Sequence, residues 1–185
     1  FIFGSGIGFY SRCQIKMKYG ENLNSIKDRI SFYKGLEPLE TKFKNYETAL
    51  HHLGEWTHHD GLFKESIKWN KAVLDKQDVW TPYKIDAYYY IGKSHLALGN
   101  TKLAMKNFKK LESEFPNNNY MPEILSNMAK ILLESDNPDI LQAKKELLKL
   151  QEGFPESNEM KEYQSKLDFI IKNEDDNYEP LVRYF

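Results

Sequence analysis

The sequence is poor in cysteine and arginine, and these two shortages exclude several kinds of site. Cys13 is the only cysteine of the 185 residues, so neither an intrachain disulfide nor a zinc site built from several cysteines can form. Arginine, the residue best suited to paired hydrogen bonds with phosphates and base edges, occurs only at Arg12, Arg29 and Arg183. The formal net charge of −1 gives no overall positive field. Together these features argue against nucleic-acid binding.

The apolar start of the chain is too short to cross a bilayer by itself. Residues Phe1 to Tyr10 are apolar and glycine-rich, and three basic residues follow them within residues 1–20. A membrane-spanning helix needs about 20 apolar residues. The segment is therefore either the tail of a longer membrane or targeting segment, which would anchor the protein, or an apolar segment docked on protein. Residues 1–20 are interpreted as a separate N-terminal segment.

No stretch of the sequence alternates apolar and polar residues convincingly enough to predict a strand. Helical spacing dominates instead. Ile26, Ile30 and Tyr33 fall on one face of a predicted helix, and Phe43 continues the same spacing after the next turn. The sequence therefore predicts an all-α protein whose residues 21–46 form an N-terminal helical extension.

Three segments of the chain repeat one pattern of large and small residues. Gly92 follows Gly54 by 38 residues, within a longer stretch of matching positions. Each copy holds two small residues, which would let two antiparallel helices cross closely. These pairs are Gly54 with Ser66, Gly92 with Ala104, and Ala129 with Ala143. Each helix pair leaves an apolar face uncovered, so neighbouring pairs are expected to stack.

The middle copy resembles the tetratricopeptide repeat, whose pattern is W-x2-L-G-x2-Y, then A-x3-F, then P. Its matching residues are Tyr88, Ile91, Gly92, His95, Ala104, Phe108 and Pro116. The resemblance implies a tetratricopeptide-type α-solenoid of about three helix-turn-helix repeats over residues 47–156. After Pro155 the sequence predicts a capping helix over residues 157–173 and an acidic and aromatic tail over 174–185.

The resemblance also implies a concave groove, lined by the first helix of each repeat, that holds a peptide or a helix of a partner protein. The groove positions carried over from the family are Thr48, His51, Glu55, His58, His59, Asp86, Tyr89, Lys93, Leu96, Ala97, Glu123, Ser126, Lys130 and Leu133. Lys93 and Lys130 lie one repeat apart in this set, which predicts contact with an acidic or carboxylate-bearing ligand. Glu123 stands where the chaperone-binding subfamily has a lysine, which argues against capture of a chaperone tail.

The sequence Gly92-Lys93-Ser94 reproduces the end of a phosphate-binding loop. Ala87 occupies the position of the first glycine that such a loop needs, and the tyrosines between them follow a helical pattern. Amide groups inside a helix are already bonded and cannot cradle a phosphate. The motif therefore does not predict a nucleotide site.

A short segment that begins at His51 contains four histidines. On a helix, His51, Glu55 and His58 share one face, while His52, Glu55 and His59 share another. The Glu-x-x-His spacing of Glu55 and His58 is used in di-iron bundles. Those bundles need further carboxylates from other helices in a closed core, which a solenoid does not offer. We therefore expect no native metal and no cofactor, and a histidine-rich metal-binding protein is the weaker alternative.

The spacing of the sequence supports no serine-histidine-acid or cysteine-histidine arrangement, so the protein is predicted not to be an enzyme. The predicted function is a scaffold that binds a partner protein. The Phe-Pro closures at Pro116 and Pro155 resemble those of bacterial envelope tetratricopeptide proteins. With the apolar start, they predict a periplasmic, membrane-anchored protein of the bacterial envelope. The alternatives are a permanent structural subunit of a large membrane complex, including an organellar one, and a cytoplasmic protein.

Overall fold

Seven α-helices follow one another in the part of the chain that the structure describes. The structure is a computed structural model that describes residues 46–172, without the side chains of Tyr46, Thr48 and Ala49. The helices are α1 (Tyr46–His59), α2 (Phe63–Leu74), α3 (Thr81–Ala97), α4 (Thr101–Glu114), α5 (Met121–Leu133), α6 (Ile140–Gly153) and α7 (Asn158–Lys172). No strand occurs among these residues.

Several predicted segments lie outside the described residues. These are the apolar N-terminal segment over residues 1–20, nearly all of the helical extension over 21–46, and the tail over 174–185. The predicted capping helix over residues 157–173 corresponds to α7.

The turns between helices follow from the residues at the helix ends. Gly61 and Gly99 have positive φ angles of 76° and 74°, a conformation that glycine adopts without steric cost. Both lie directly after a first helix and reverse the chain into the second helix of the pair. Pro82 and Pro122 lie in the first turn of α3 and α5, where the missing N–H of proline costs no helical hydrogen bond. The helices therefore form hairpins in the order that the repeat pattern predicts.

Glycine marks the point where the two helices of a pair approach most closely. A Cβ atom at Gly92 would lie 2.4 Å from Cε1 of Phe108, and a Cβ atom at Gly54 would lie 2.4 Å from the side-chain amide of Asn70. Only a residue without a side chain fits under either group. This geometry confirms the prediction that Gly92 is small because a second helix passes over it.

The first helix pair has a polar crossing where the second pair has an aromatic ring. The hydroxyl of Ser66 donates to the carbonyl oxygen of Gly54 at 2.7 Å, and Nδ2 of Asn70 donates to the carbonyl oxygen of Ser66 at 2.9 Å. Asn70 occupies the position that Phe108 has one repeat later, and both side chains are buried. The two pairs therefore share one backbone arrangement but differ in what fills it.

Within residues 46–172 the apolar core consists of two clusters that meet at α3. The smaller cluster contains Leu50, Leu53, Trp69, Val73, Val79 and Ala87. The larger one extends from α3 to α7 and includes Tyr89, Phe108, Leu147 and Leu167. Because Ala87 and Tyr89 belong to different clusters, α3 packs against both. Successive helix pairs thus stack along the chain, and the described residues form an all-α helical-repeat solenoid.

Candidate functional site

A strip of polar and aromatic side chains crosses the first helices of three successive pairs. We call this set the polar strip. It comprises His51 and Glu55 from α1, Asp86, Tyr89, Tyr90 and Lys93 from α3, Glu123 from α5, and Tyr120, the residue directly before α5. Each member contacts another member on a neighbouring helix, so the strip is continuous from the first repeat to the third.

Glu123 joins the second repeat to the third. Its carboxylate accepts a 2.6 Å hydrogen bond from the hydroxyl of Tyr89 and a second hydrogen bond from the ammonium group of Lys93. Burial opposes ionisation of this carboxyl, but the hydrogen bonds from Lys93 and Tyr89 outweigh it, so the pKa of Glu123 is lowered. Glu123 is therefore ionised at neutral pH, and its negative charge balances the positive charge of Lys93.

Tyr120 connects the same two repeats by a second route. Its ring stacks on that of Tyr89, with centroids 3.9 Å apart and planes inclined by 10°. Its hydroxyl donates to Oδ1 of Asp86 at 2.8 Å. Burial raises the pKa of Asp86 and outweighs this hydrogen bond and the nearby His51, both of which lower it. Burial also raises the pKa of Tyr120, and its bond to Asp86 adds to that effect.

The first repeat meets the second around Asp86 and Glu55. His51 Nε2 lies 3.5 Å from Oδ2 of Asp86 and 4.0 Å from Oε2 of Glu55. The hydroxyl of Tyr90 donates to Oε1 of Glu55 at 3.3 Å. Burial lowers the pKa of His51 and outweighs the attraction of the two carboxylates, so His51 is neutral at pH 7. The pKa of Glu55 is lowered, chiefly by its contact with His52.

His58 lies beside the strip and is directed towards the interior. Its Nδ1 is hydrogen-bonded to the hydroxyl of Ser94 at 2.9 Å, and its ring packs against Phe63 and Tyr90. Burial, with smaller contributions from His59 and Lys93, lowers the pKa of His58 to about 4. His58 is therefore also neutral at physiological pH and adds no positive charge to the strip.

The strip carries an excess of negative charge. It holds three carboxylates, at Glu55, Asp86 and Glu123, and one ammonium group, at Lys93. The carboxyl side chains keep 32%, 22% and 34% of their surface exposed, in that order, so they are accessible to a partner. Because His51 is neutral, no other charge on the strip offsets them.

The structure brings together most of the groove residues predicted from the sequence. His51, Glu55, Asp86, Tyr89, Lys93 and Glu123 lie on the strip, and His58 lies beside it. Leu96 packs instead against the larger apolar cluster, and Ser126 is buried, with its hydroxyl donating to the carbonyl oxygen of Glu123. Lys130 is exposed one helical turn beyond Ser126. Lys93 forms an ion pair with Glu123. Lys93 and Lys130 are therefore not two unpaired cations side by side, as the sequence suggested for binding an acidic ligand.

Two tyrosines of the strip, Tyr90 and Tyr120, were not predicted from the sequence as groove residues. A signal for Tyr120 is present in the repeat itself. Tyr83 precedes Asp86 by three residues, and Tyr120 precedes Glu123 by three, so the same tyrosine and acidic pair opens α3 and α5. The role of Tyr90 depends on its hydroxyl reaching Glu55 on another helix, which spacing alone does not reveal.

One group of side chains in residues 46–172 is close enough to hold a metal ion. The potential ligand atoms of His51, His52 and Glu55 all lie within 4.8 Å of one another. No helix in the same range is long and apolar enough to cross a membrane.

Comparison with known families identifies the second repeat. Residues 86–118 match the tetratricopeptide repeat family model. The match begins at Asp86 and covers the rest of α3, all of α4 and the turn that follows. It therefore includes four members of the polar strip, all of them on α3. Tetratricopeptide repeats generally mediate protein–protein interactions, and the family is typically a non-enzymatic scaffold. A search of curated proteins found no match to this chain.

Proposed function

We propose that this protein is a non-enzymatic scaffold whose polar strip binds a basic segment of a partner protein. The observation that carries the proposal is the charge of the strip, which has three carboxylates and one ammonium group on the first helices of successive repeats. Tetratricopeptide arrays use this face for partner segments, and the family match covers its central helix, α3, from Asp86 onwards.

The hydrogen bonds of the strip explain why a basic segment fits better than an acidic one. The Lys93 ammonium is already paired with Glu123, and the hydroxyls of Tyr89 and Tyr120 already donate to carboxylates. An acidic segment would therefore meet like charges and donors that are already used. Lysine or arginine would instead share the exposed carboxylate oxygens, which favours association both in rate and in specificity.

Selection from a library of random peptides tests this proposal with the full chain as bait. We expect the selected peptides to be enriched in lysine and arginine. Enrichment in aspartate and glutamate, or selection of peptides without any charge bias, would contradict it.

A matched pair of variants tests whether the strip is the binding surface. Glu123→Gln removes one negative charge, while its amide oxygen still accepts from Tyr89. We expect this change to lower the affinity for the selected peptides several-fold. Glu152→Gln removes an exposed carboxylate from α6, away from the first helices, and should leave the affinity unchanged. Equal effects of the two variants would place the binding surface elsewhere.

We further propose that the scaffold works in a membrane-associated assembly of a cell envelope. The apolar segment Phe1 to Tyr10 and the Phe-Pro closures at Pro116 and Pro155 support this setting. Extraction of native membranes tests it, because an anchored protein stays in the membrane fraction at high salt and is released by detergent. Release by salt alone would contradict anchoring. A partner that copurifies in fixed stoichiometry through both extractions would favour the permanent structural subunit instead.

A further inference from the structure

We infer that His51, His52 and Glu55 of α1, together with Asp86 of α3, form a binding site for a divalent transition metal of the zinc class. The site lies at the end of the polar strip, where the first repeat meets the second. It does not depend on the proposed partner binding.

Three of the six separations between the four ligand atoms are close to those of tetrahedral coordination. Zinc bonds to nitrogen and oxygen of about 2.0–2.2 Å place neighbouring ligand atoms about 3.4 Å apart in a tetrahedron. His51 Nε2 lies 3.5 Å from Oδ2 of Asp86, and His52 Nδ1 lies 3.6 Å from Oε2 of Glu55. His51 Nε2 lies 4.0 Å from the same oxygen of Glu55. A metal ion would need to draw these side chains together by only a few tenths of an ångström at each of these separations.

Neighbouring rings hold the two histidines in orientation. His51 stacks on Tyr83 with centroids 4.4 Å apart, and His52 stacks on Trp56 at 5.2 Å. His52 Nδ1 is buried without a hydrogen-bond partner, and at 3.6 Å its separation from Glu55 exceeds an ordinary hydrogen bond. A buried ring nitrogen that lies near a carboxylate without a hydrogen-bond partner is a ligand atom available to a metal.

The charges of the group also suit a divalent cation. Metal coordination needs neutral imidazoles and ionised carboxylates. In these forms the two carboxylates of Glu55 and Asp86 would balance the charge of one Zn²⁺ ion, and the two imidazoles would add none. Nitrogen and oxygen ligands of this kind are typical of zinc sites.

Asp86 removes the objection that the sequence raised against a metal site. The sequence indicated that a solenoid lacks the closed core in which several helices supply carboxylates, yet α3 lies beside α1 and places Asp86 next to His51. The structure also separates the four histidines. His58 turns to Ser94 and His59 packs against Tyr90, so neither joins His51 and His52. The inferred set therefore differs from both helical faces that spacing suggested.

Metal titration of the full chain tests the inference. The protein is treated with a chelator, dialysed, and titrated with Co²⁺ and with Zn²⁺. We expect one tight site per chain, a visible Co²⁺ absorption typical of four-coordinate geometry, displacement of Co²⁺ by Zn²⁺, and a higher melting temperature with metal. Weak binding of several ions without four-coordinate absorption would overturn the inference.

Single substitutions identify the ligands. His52→Gln, Glu55→Gln and Asp86→Asn should each weaken metal binding by at least about tenfold. His59→Gln is the matched control, because it removes an exposed histidine from the same helix and should leave the site intact. Melting of each metal-free variant shows whether it is folded. Loss of binding in His59→Gln, or unchanged binding in the three ligand variants, would contradict the assignment. Glu123→Gln should lower the affinity for peptides but leave the affinity for metal unchanged. Each proposal can therefore be contradicted without affecting the other.

Discussion

Lys93 of α3 and Glu123 of α5 form an ion pair across the boundary between two successive repeats. The hydroxyl of Tyr89 donates to the same carboxylate, so three side chains from two helices share one junction. Such partly buried, charge-assisted hydrogen bonds are stronger than those between neutral groups. The junction therefore both stabilises the stacking of the repeats and fixes the position of the carboxylate.

A double-mutant cycle measures this junction. We expect Lys93→Met and Glu123→Gln to show a coupling energy of about 1 kcal/mol in urea unfolding, because both groups are partly shielded from water. The exposed pair Lys110 and Glu114, four residues apart on α4, is the matched control. Its coupling should be no more than about 0.5 kcal/mol. Equal coupling in the two pairs would show that shielding contributes nothing at Glu123.

Gly92→Ala tests the close crossing of α3 and α4. The added methyl group would lie 2.4 Å from Cε1 of the buried Phe108 ring, so the ring or one of the helices must move. We expect a loss of about 1–3 kcal/mol in the free energy of unfolding. Phe108→Leu in the same chain should restore part of that loss, because it removes the ring that the methyl group meets.

Gly153→Ala is the control for this crossing. A Cβ atom at Gly153 would have no heavy atom within 4 Å, and the residue lies in the last turn of α6. Alanine is the better helix former, so the variant should be neutral or up to about 1 kcal/mol more stable. If both glycine variants lost similar stability, the close crossing at Gly92 would not explain the effect, because a methyl group at Gly153 meets no neighbouring atom.

The low pKa of His58 makes stability depend on pH. Its pKa is about 4 in the folded protein, whereas the ordinary value is 6.5, so the unfolded chain takes up the proton first as the pH falls. The contribution of neutral His58 is complete above about pH 6.5 and decreases as the pH drops towards 4. Between pH 7 and pH 5 the wild-type protein should lose roughly 1–2 kcal/mol more than His58→Gln.

Urea unfolding of both proteins at the two pH values provides the measurement. Burial also lowers the pKa of His51 and His95, but these residues are present in both proteins, so the difference isolates His58. An identical loss in the wild type and the variant would mean that His58 is not shielded as the structure indicates.

Salt should weaken the binding of basic peptides to the polar strip. The attraction depends on carboxylates that remain partly exposed at Glu55, Asp86 and Glu123, and salt screens such charges. We expect a several-fold loss of affinity between low and high ionic strength, mainly through slower association. A salt-independent affinity, measured by the same titration, would indicate apolar recognition instead.

The fold was predictable because its signals repeat. The spacing from Gly92 to Phe108 recurs as Gly54 to Asn70. In each of these two repeats it marks the same close crossing of two helices. The pairing inside the groove was less predictable. Lys93 faces α5, where Glu123 and Lys130 are two helical turns apart, and spacing does not decide which of them a long side chain meets. Only the relative positions of α3 and α5 select the carboxylate.

The carboxylate of Asp86 was predicted to line the groove, but its contacts with two other repeats were not. It accepts from Tyr120 and lies near His51, so its surroundings depend on three helix pairs at once. A periodic pattern describes each repeat separately and contains no information about the rotation of one repeat relative to the next. The place of Asp86 beside the histidines of the candidate metal site was missed for the same reason.

The division of the core into two clusters has a consequence for how the chain opens. The smaller cluster holds six buried apolar residues, and its helix crossing is polar at Ser66 and Asn70. In a stacked array each unit depends on its neighbours, so the less apolar unit is expected to open first. Backbone amides of α1 and α2 should then exchange with solvent before those of α4 to α7. Such partial opening would detach His51 and Glu55 from Asp86 while the junction at Glu123 stays assembled.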